Sequence, residues 1–258
     1  KKLTSILITN YNKEKFLKKS LQSVCSQNFK NYEIILFDDC SSDDSINIIK
    51  KFKKIRLIKK LKRSKKSAPL NQINGILQAF KKSKGDIICL MDSDDFFIKN
   101  KIAIINKEFK KKKNINCIFN FPKSNKNQFN FKMKKKTSIW PTIFPTSCIS
   151  FRRNFFKKFI KNLEKTNYPN LEIDARLTIF SNFFNNEYNL LNKQLTHYAY
   201  DENGITANKK KFSWLWWIRR DEAYKYLRFI MKKKQIIFKD SLDYYITLSI
   251  SYIFKICK

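Results

Sequence analysis

Four apolar segments alternate with helix-forming segments over the first 92 residues, and this alternation limits the fold more than any other feature of the chain. The apolar segments are continuous, as expected of strands that are buried on both faces of a sheet. The segments between them have helical spacing, as in Leu17, Leu21 and Val24. This order predicts an α/β fold with a mainly parallel sheet flanked by helices. The predicted strands are 3–12, 32–45, 55–60 and 87–92, and the predicted helices are 13–27, 45–54 and 68–86.

The pattern is weaker after residue 110. We expect a strand at 115–121, a strand and then a helix within 145–160, and a helix at 172–184. The lysine-rich stretch 122–138 is predicted to be a mobile loop, and Gly85 is predicted to end the third helix as its C′ residue. The organisation that follows is a main domain over 1–206 and a C-terminal helical extension over 207–258, rich in aromatic and basic residues.

The chain is strongly basic, with 55 Lys and Arg against 21 Asp and Glu and a formal net charge of +34. Such a charge favours anionic partners: nucleic acid, acidic lipid or phosphorylated substrates. The chain is also rich in Lys, Asn, Ile and Phe and has only 3 Gly, as AT-rich coding would produce, so the charge alone does not identify the partner.

Polar residues stand where three predicted strands end, at 9–12, 38–44 and 92–95. In an open parallel sheet the carboxyl ends of the strands form the ligand-binding edge, so these residues are expected to converge. Neither GxGxxG nor GxxxxGK[ST] occurs, so phosphates are not expected in a glycine-rich cradle. The carboxylates of "DSDD" at 92–95 predict a divalent metal, Mn²⁺ or Mg²⁺, that would neutralise a diphosphate instead.

Several stretches in the first 200 residues resemble, in order, those of the family 2 glycosyltransferases, whose nucleotide-sugar-binding domain has the GT-A fold. They are "SILITNYNKEKFLKKSLQSVCSQ", "YEIILFDDCSSDDS", "NGILQAFKKSKGDIICLMDSDD", "PTSCISFRR" and "EIDARLTIF". The resemblance implies a GT-A catalytic domain over 1–206, with a nucleotide-binding half over 1–110 and an acceptor half over 111–206. It implies transfer of a sugar, with inversion, from a nucleotide-diphosphate sugar, preferably UDP-linked, to a hydroxyl of a glycan or lipid-linked acceptor.

The resemblance also implies roles for individual residues. Asp94 corresponds to a metal ligand of the DxD motif, and Asp92 is placed both at the metal and nearer the ribose. The remaining nucleotide-sugar-binding residues implied are Thr9, Tyr11, Asp38, Asp39 and Ser93.

The catalytic base implied by the resemblance is Asp174 in "EIDARL", with Arg176 on a basic position facing the donor or the base. Chemically, one carboxylate at the mouth of the donor pocket suffices to take the acceptor proton, while a metal stabilises the leaving diphosphate. Glu172, two residues away, is the rival base, and the choice stays open here.

The chain departs from the family where a His is often found after the strand that follows the base helix. That stretch reads "YDENGIT" at 200–206, with Asp201 at the position of the His, while the single His, His197, lies four residues earlier. The third metal ligand is therefore Asp201, His197 or neither. The loop holding Cys40 also lacks the usual Gly, so its turn is expected to differ locally.

The C-terminal extension crowds Trp214, Trp216 and Trp217 beside Arg219 and Arg220. Tryptophan beside arginine is typical of a membrane interface, and also of a helix pair packed on the main domain. We therefore expect an anionic membrane surface as a partner, with a peripheral location at the inner face of the cell membrane. The alternative function is a nucleic-acid-binding or nucleotidyl-transfer protein that uses the positive charge; without a stacking strip of aromatic residues, no nucleic acid is expected as a partner.

Overall fold

The computed structural model describes residues 2–64, 66–123, 131, 133–134, 140–164, 167–185, 187–199, 201, 204 and 210–256. The strands are β1 (Thr4–Asn10), β2 (Tyr32–Asp38), β3 (Ile55–Lys59), β4 (Ile87–Asp92), β5 (Phe96–Phe97), β6 (Cys117–Lys123), β7 (Ile149–Arg152) and β8 (Tyr188–His197). The helices are α1 (Glu14–Cys25), α2 (Ser45–Lys50), α3 (Ala68–Lys82), α4 (Lys101–Lys111), α5 (Arg153–Lys161), α6 (Ile173–Phe180), α7 (Trp214–Lys233) and α8 (Leu242–Ile256). A 3₁₀ turn, Thr146–Cys148, precedes β7, and a π-helical turn, Ser181–Asn185, follows α6.

The eight strands form one sheet in the order β3-β2-β1-β4-β7-β6-β8-β5. β1 pairs in parallel with β2 and β4, and β2 with β3, as the alternating pattern predicts. β7 runs antiparallel between β4 and β6, whereas β6 and β8 are again parallel. The predicted α/β class with a mainly parallel, helix-flanked sheet is therefore confirmed, with the antiparallel pairs in its second half.

The core lies on both faces of this sheet, because successive strand residues point to opposite sides. On one face, Ile6 and Ile8 of β1 belong to a cluster that includes Leu17 of α1 and Ile105 of α4. On the other face, Leu7 belongs to a cluster that includes residues of α3, α5, α6 and α7. Both faces of the continuous apolar strand β1 are thus buried against other apolar residues.

Two details differ from the sequence prediction. α3 ends at Lys82, and Gly85 has no left-handed backbone, so Gly85 is not the predicted C′ residue. Its small size serves a close approach instead, because a Cβ there would lie 2.5 Å from the Ser5 backbone nitrogen. The sequence prediction also missed β8 and the two-residue β5, which pairs with β8. Much of the predicted loop at 122–138 lies outside the described residues.

The C-terminal section is packed on the main domain through α7. Ala223, Tyr226, Leu227 and Ile230 of α7 are buried in the same cluster as the sheet residues of that face. No helix among the described residues is both long enough and apolar enough to cross a membrane. The five described cysteines are free thiols, and Cys257 lies outside the described residues.

Candidate active site

Strand register brings the predicted site residues to one edge of the sheet. Thr9 of β1 pairs with Asp92 of β4, and the next residue, Asn10, pairs with Asp38 of β2. The carboxyl ends of three parallel strands therefore lie side by side, which is where open α/β sheets bind ligands. Thr9 also lies against α3, because a Cβ on Gly75 would approach its methyl group to 3.0 Å.

Asp38 is fully buried and organises the loop that follows β2. Its carboxylate accepts hydrogen bonds from the Asn10 amide (2.8 Å), the Ser41 hydroxyl (2.6 Å) and the Ser41 backbone N–H (2.9 Å). Cys40 in this loop has φ 65°, a left-handed conformation that glycine adopts more readily. Asp38 is thus engaged in holding the loop that presents Asp39.

Asp39 and Tyr11, the predicted base-binding residues, both contact Arg63, and Asp39 also contacts Lys60; these two basic residues follow β3. The Asp39 carboxylate pairs with Lys60 Nζ at 2.8 Å and with Arg63 Nε at 3.1 Å. The Arg63 guanidinium carbon also lies 3.3 Å from the centroid of the Tyr11 ring. Sequence reasoning missed Lys60 and Arg63, although their position after a strand of the ligand-binding edge was a usable signal.

Asp92 lies among other carboxylates at the end of β4. Burial and the nearby charges of Asp94 and Asp174 raise its pKa to about 7, although the Gln72 amide donates to its Oδ1 at 2.7 Å. The electrostatic influence of Asp174 on Asp92 places the predicted base close to the DxD motif. The structure therefore brings together acids that are separated by 80 residues of sequence.

Buried polar groups hold the turn that follows β4 in place. Ser93 is 2% exposed and Asp95 is 1% exposed. Asp95 Oδ1 accepts a hydrogen bond from the Ala199 backbone N–H at 3.0 Å, which ties this turn to the end of β8, and burial followed by the charges of Asp94 and Asp92 raises the Asp95 pKa. The fully buried Lys101 donates to the Ser147 carbonyl and, at 2.7 Å, to the Thr196 hydroxyl.

Lys13 lies at the outer side of the DxD turn. Its Nζ is 2.9 Å from Asp94 Oδ2 and also pairs closely with Asp201. Burial acts to lower the Lys13 pKa, but the two carboxylates outweigh it, and the net shift is upward. Asp201 is therefore brought to Asp94.

His197 lies in a different setting. Its ring stacks on Phe96 with centroids 4.9 Å apart, and burial together with Lys123 and Lys19 lowers its pKa. The geometry therefore favours Asp201 over His197 as a companion of Asp94.

Asp174 and Glu172 differ in how they are held. Glu172, just before α6, is 5% exposed, and its Oε2 accepts from Arg219 Nε at 2.6 Å. Asp174, in the first turn of α6, is half-buried, and its Oδ1 accepts from the Ala175 backbone N–H at 2.6 Å. Glu172 is thus committed to an ion pair with α7, while Asp174 stands nearer the DxD acids.

Arg176 does not face the donor or the base in this structure. It is fully buried, and its guanidinium donates to the backbone carbonyls of Leu171, Leu163, Glu164, Asn167 and Tyr168. The expectation that Arg176 faces the donor or the base is therefore wrong. Its hydrogen bonds hold the segment before α6 in place and so support the helix that carries Asp174. The reason is that α6 turns this side chain into the core, among the backbone carbonyl oxygens of the preceding segment.

Tyr198 is a further site residue that sequence reasoning missed. Burial and the charges of Asp95, Asp94, Asp92 and Asp174 raise its pKa, which places the phenol within the acidic cluster. A hydroxyl among carboxylates can donate a hydrogen bond to one of them or to a bound sugar. The signal was weak because β8 itself was not predicted.

The acid pair fits a divalent cation only in part. Among the described residues, no group of three or more His, Cys, Asp or Glu side chains is arranged to hold a metal ion. Mg²⁺ sites, however, often use one or two carboxylates together with substrate phosphates. Asp94 and Asp92 with diphosphate oxygens would form such a donor set. Burial and then the charge of Asp94 raise the Asp92 pKa, and a cation would offset both.

The sheet and its acidic edge define a nucleotide-sugar-binding domain of the GT-A class, and comparisons with known proteins agree. The family model "Glycosyl transferase family 2" matches residues 5–184. The chain belongs to this family.

Among the curated relatives that match part of the chain are two bacterial glycosyltransferases. The Escherichia coli UDP-Glc:alpha-D-GlcNAc-diphosphoundecaprenol beta-1,3-glucosyltransferase WfaP is 38% identical over 101 residues, which cover 39% of each chain. The Staphylococcus aureus poly(ribitol-phosphate) beta-N-acetylglucosaminyltransferase TarS is 27% identical over 97 residues, covering 37% of this chain and 17% of TarS. The matches thus span well under half the length of these relatives.

Solved structures share the fold over nearly the whole chain. The structure of S. aureus TarS 1–349 with UDP-GlcNAc superposes with a TM-score of 0.65 at 17% identity, covering 98% of this chain and 71% of that chain. The mannosyltransferase PcManGT from Pyrobaculum calidifontis, with GDP-Man and Mn²⁺, gives a TM-score of 0.59 at 13% identity, covering 98% and 70%. The GT-A fold expected from the sequence is confirmed.

Proposed function

We propose that this chain is the catalytic unit of a glycosyltransferase that moves a sugar from a UDP-sugar to a hydroxyl of a glycan or lipid-linked acceptor, with inversion. The observation that carries the proposal is the convergence of Asp92, Asp94 and Asp174 at the edge of the sheet where Tyr11 and Asp39 also lie. The reaction needs stabilisation of the donor diphosphate and removal of the acceptor proton. Both act on the same sugar, so the residues responsible must lie within one sugar's length of each other.

The chain's own residues divide the work. Tyr11 and Asp39 would bind the base and its ribose, and Thr9, Asp38 and Ser93 would shape that pocket. Asp174 would accept the proton of the acceptor hydroxyl as it attacks the anomeric carbon in line with the departing diphosphate. Glu172 would hold Arg219 beside this reaction centre, where the charge of Arg219 also acts on Asp174.

A divalent cation, Mn²⁺ or Mg²⁺, would be held by Asp94 and Asp92. When bound, it stabilises the charge of the leaving diphosphate. The Mn²⁺ in PcManGT supports this choice for the fold, and the short carboxylate set supports it for these residues.

The acceptor is proposed to carry phosphate. The names of both curated relatives include a phosphate-bearing acceptor, a diphosphoundecaprenol in one and a poly(ribitol-phosphate) in the other. A net charge of +34 would attract such an acceptor electrostatically. The alternative of a nucleic-acid-binding protein draws on the same charge but gains no support from the family assignment.

A peripheral position at the inner face of the cell membrane is proposed for the same chain, through α8. Leu242, Tyr245, Ile246, Tyr252 and Ile253 are all exposed on α8 and recur at helical spacing. The opposite face packs on α7 through polar groups, including a 3.0 Å hydrogen bond from Arg220 Nε to the Thr247 hydroxyl. A helix with its apolar face outward, in a basic chain, suits an anionic lipid surface.

Donor binding tests the proposed function directly. Thermal unfolding would be followed with UDP-glucose, UDP-GlcNAc and GDP-mannose, each with Mn²⁺, with Mg²⁺ and with EDTA. We expect a UDP-sugar to raise Tm most when metal is present, and Asp94→Asn to lose that increase. Asp86→Asn, at the opposite end of β4, is the matched control and should respond as the wild type does. A donor response that is absent in every condition would refute the assignment.

A further inference from the structure

Lys13 holds two acids that belong to different segments of the ligand-binding edge. It follows β1, whereas Asp94 follows β4 and Asp201 follows β8. The side chains of these three residues are only 18%, 16% and 11% exposed, so solvent screens the ion pairs weakly. One ammonium therefore links three parts of the chain, as a metal ion would.

The position of Lys13 is set by its backbone as well as by its charge. Its N–H donates to the Ser45 hydroxyl at 3.4 Å, and its carbonyl accepts from the N–H groups of Phe16 and Leu17 at the start of α1. The base of the side chain is fixed, but the four-carbon stem leaves the ammonium free to turn away once a stronger cation arrives.

We propose that Lys13 is a built-in cation of the donor site, and that its ammonium, which also holds Asp201, competes with a divalent metal for the carboxylate of Asp94. The inference rests on the proposed function, since it takes the DxD turn as the place where metal and donor diphosphate meet. Ammonium and metal cannot share one oxygen pair at contact distance, because like charges repel. Without metal, the Lys13 ammonium stays paired with Asp94, and a metal must displace this ammonium in order to bind.

A donor diphosphate should weaken this competition. Its phosphate oxygens offer the displaced ammonium a new anionic partner and also complete the coordination of the metal. Metal and nucleotide are then expected to bind with positive coupling, and Lys13 would carry part of that coupling.

Mn²⁺ binding without turnover tests the proposal, with free Mn²⁺ followed by its electron paramagnetic resonance signal. In the absence of nucleotide, Lys13→Gln is expected to bind Mn²⁺ more tightly than the wild type by about tenfold, because the competing charge is gone. Lys13→Arg keeps the charge and should remain near the wild type. Lys18→Gln removes an exposed lysine of α1, the helix that begins after Lys13, and should leave the Mn²⁺ affinity unchanged. Saturating UDP should reduce the difference in Mn²⁺ affinity between Lys13→Gln and the wild type.

Thermal unfolding in EDTA provides a second readout. Lys13→Gln leaves two close carboxylates without their cation, so its Tm should fall below that of Lys18→Gln and recover when Mn²⁺ is added. Mn²⁺ affinity of Lys13→Gln equal to or weaker than the wild type would overturn the proposal. If UDP bound but Mn²⁺ bound to none of the proteins, competition would be refuted while the donor site stood; loss of UDP binding in the wild type would instead count against the proposed function.

Discussion

At the scale of single residues, the site separates two acids that the sequence could not rank. Glu172 is paired with Arg219 at 2.6 Å, while the charge of Asp174 acts on Asp92. A base must reach the acceptor hydroxyl, and Glu172 is held back by its direct contact with Arg219, whose charge also acts on Asp174. The structure thus gives a physical reason to prefer Asp174.

Asp174→Asn is therefore expected to lower kcat by about 10³-fold with the donor Kd unchanged, because an amide cannot take the acceptor proton. Glu172→Gln should lower kcat less, since it loosens the Arg219 contact without removing the base. Donor binding by calorimetry and turnover by nucleotide release would be measured for both variants. Full turnover in Asp174→Asn together with an inactive Glu172→Gln would move the role to Glu172.

Lys101 makes a prediction about pH. Burial lowers its pKa from 10.5 to about 8. Between these values the unfolded chain binds more protons than the folded one, so this residue makes the free energy of unfolding rise with pH from about 8 to about 10.5 and adds no slope below about 8. Lys101→Met should remove that slope, a difference of about 3 kcal/mol across the window.

The measurement is the free energy of unfolding at several pH values, compared between variant and wild type so that other titrating groups cancel. Lys99→Met, an exposed neighbour, provides the control and should keep the wild-type slope. If the free energy of unfolding had the same pH slope in Lys101→Met and the wild type, burial would not lower the Lys101 pKa as described.

At the scale of elements, the sequence predicted what periodicity and strand ends encode. β1, β2 and β4 are apolar runs and β3 is a short strand, and their order placed Asp39, Asp92 and Asp94 at one edge. β8 was missed because much of it is exposed and polar, with no apolar run. Asp201 and Tyr198 follow β8, so their place in the site was hidden with it.

Basic partners were hidden for a different reason. In a chain with 55 Lys and Arg, a single lysine or arginine carries almost no signal. Lys13, Arg63 and Arg219 are distinguished only by the carboxylates that the fold brings to them. Arg176 shows the converse, since its position in the motif suggested chemistry while α6 directs it into the core.

The exposed face of α8 gives the prediction for this scale. Ile246→Asp with Ile253→Asp places two charges on the apolar face without touching the contacts to α7, so binding to anionic vesicles should fall by at least about tenfold. Co-sedimentation with phosphatidylglycerol-containing vesicles measures it. Leu190→Asp, an exposed apolar residue on β8, is the control. Unchanged binding of the α8 variant would exclude this helix as the contact.

At the scale of the whole molecule, the net charge of +34 and the apolar face of α8 should act together. Charge brings the protein to an anionic surface over a range of about 10 Å at 0.1 M salt, and apolar burial then holds it there. The charge alone would attract nucleic acid equally well, and only the burial of the apolar face of α8 is specific to lipid.

Salt separates the two contributions. Raising NaCl from 0.05 to 0.5 M should weaken vesicle binding by at least about tenfold for the wild type. The residual binding at high salt should be larger for the wild type than for Ile246→Asp with Ile253→Asp, because apolar burial is not screened. A short single-stranded RNA, added at low salt, should compete with vesicles for the basic surface but should not displace a UDP-sugar held at the strand ends. RNA that displaces the UDP-sugar and remains bound at 0.5 M NaCl would instead favour the nucleic-acid function, since charge attraction alone does not survive that salt concentration.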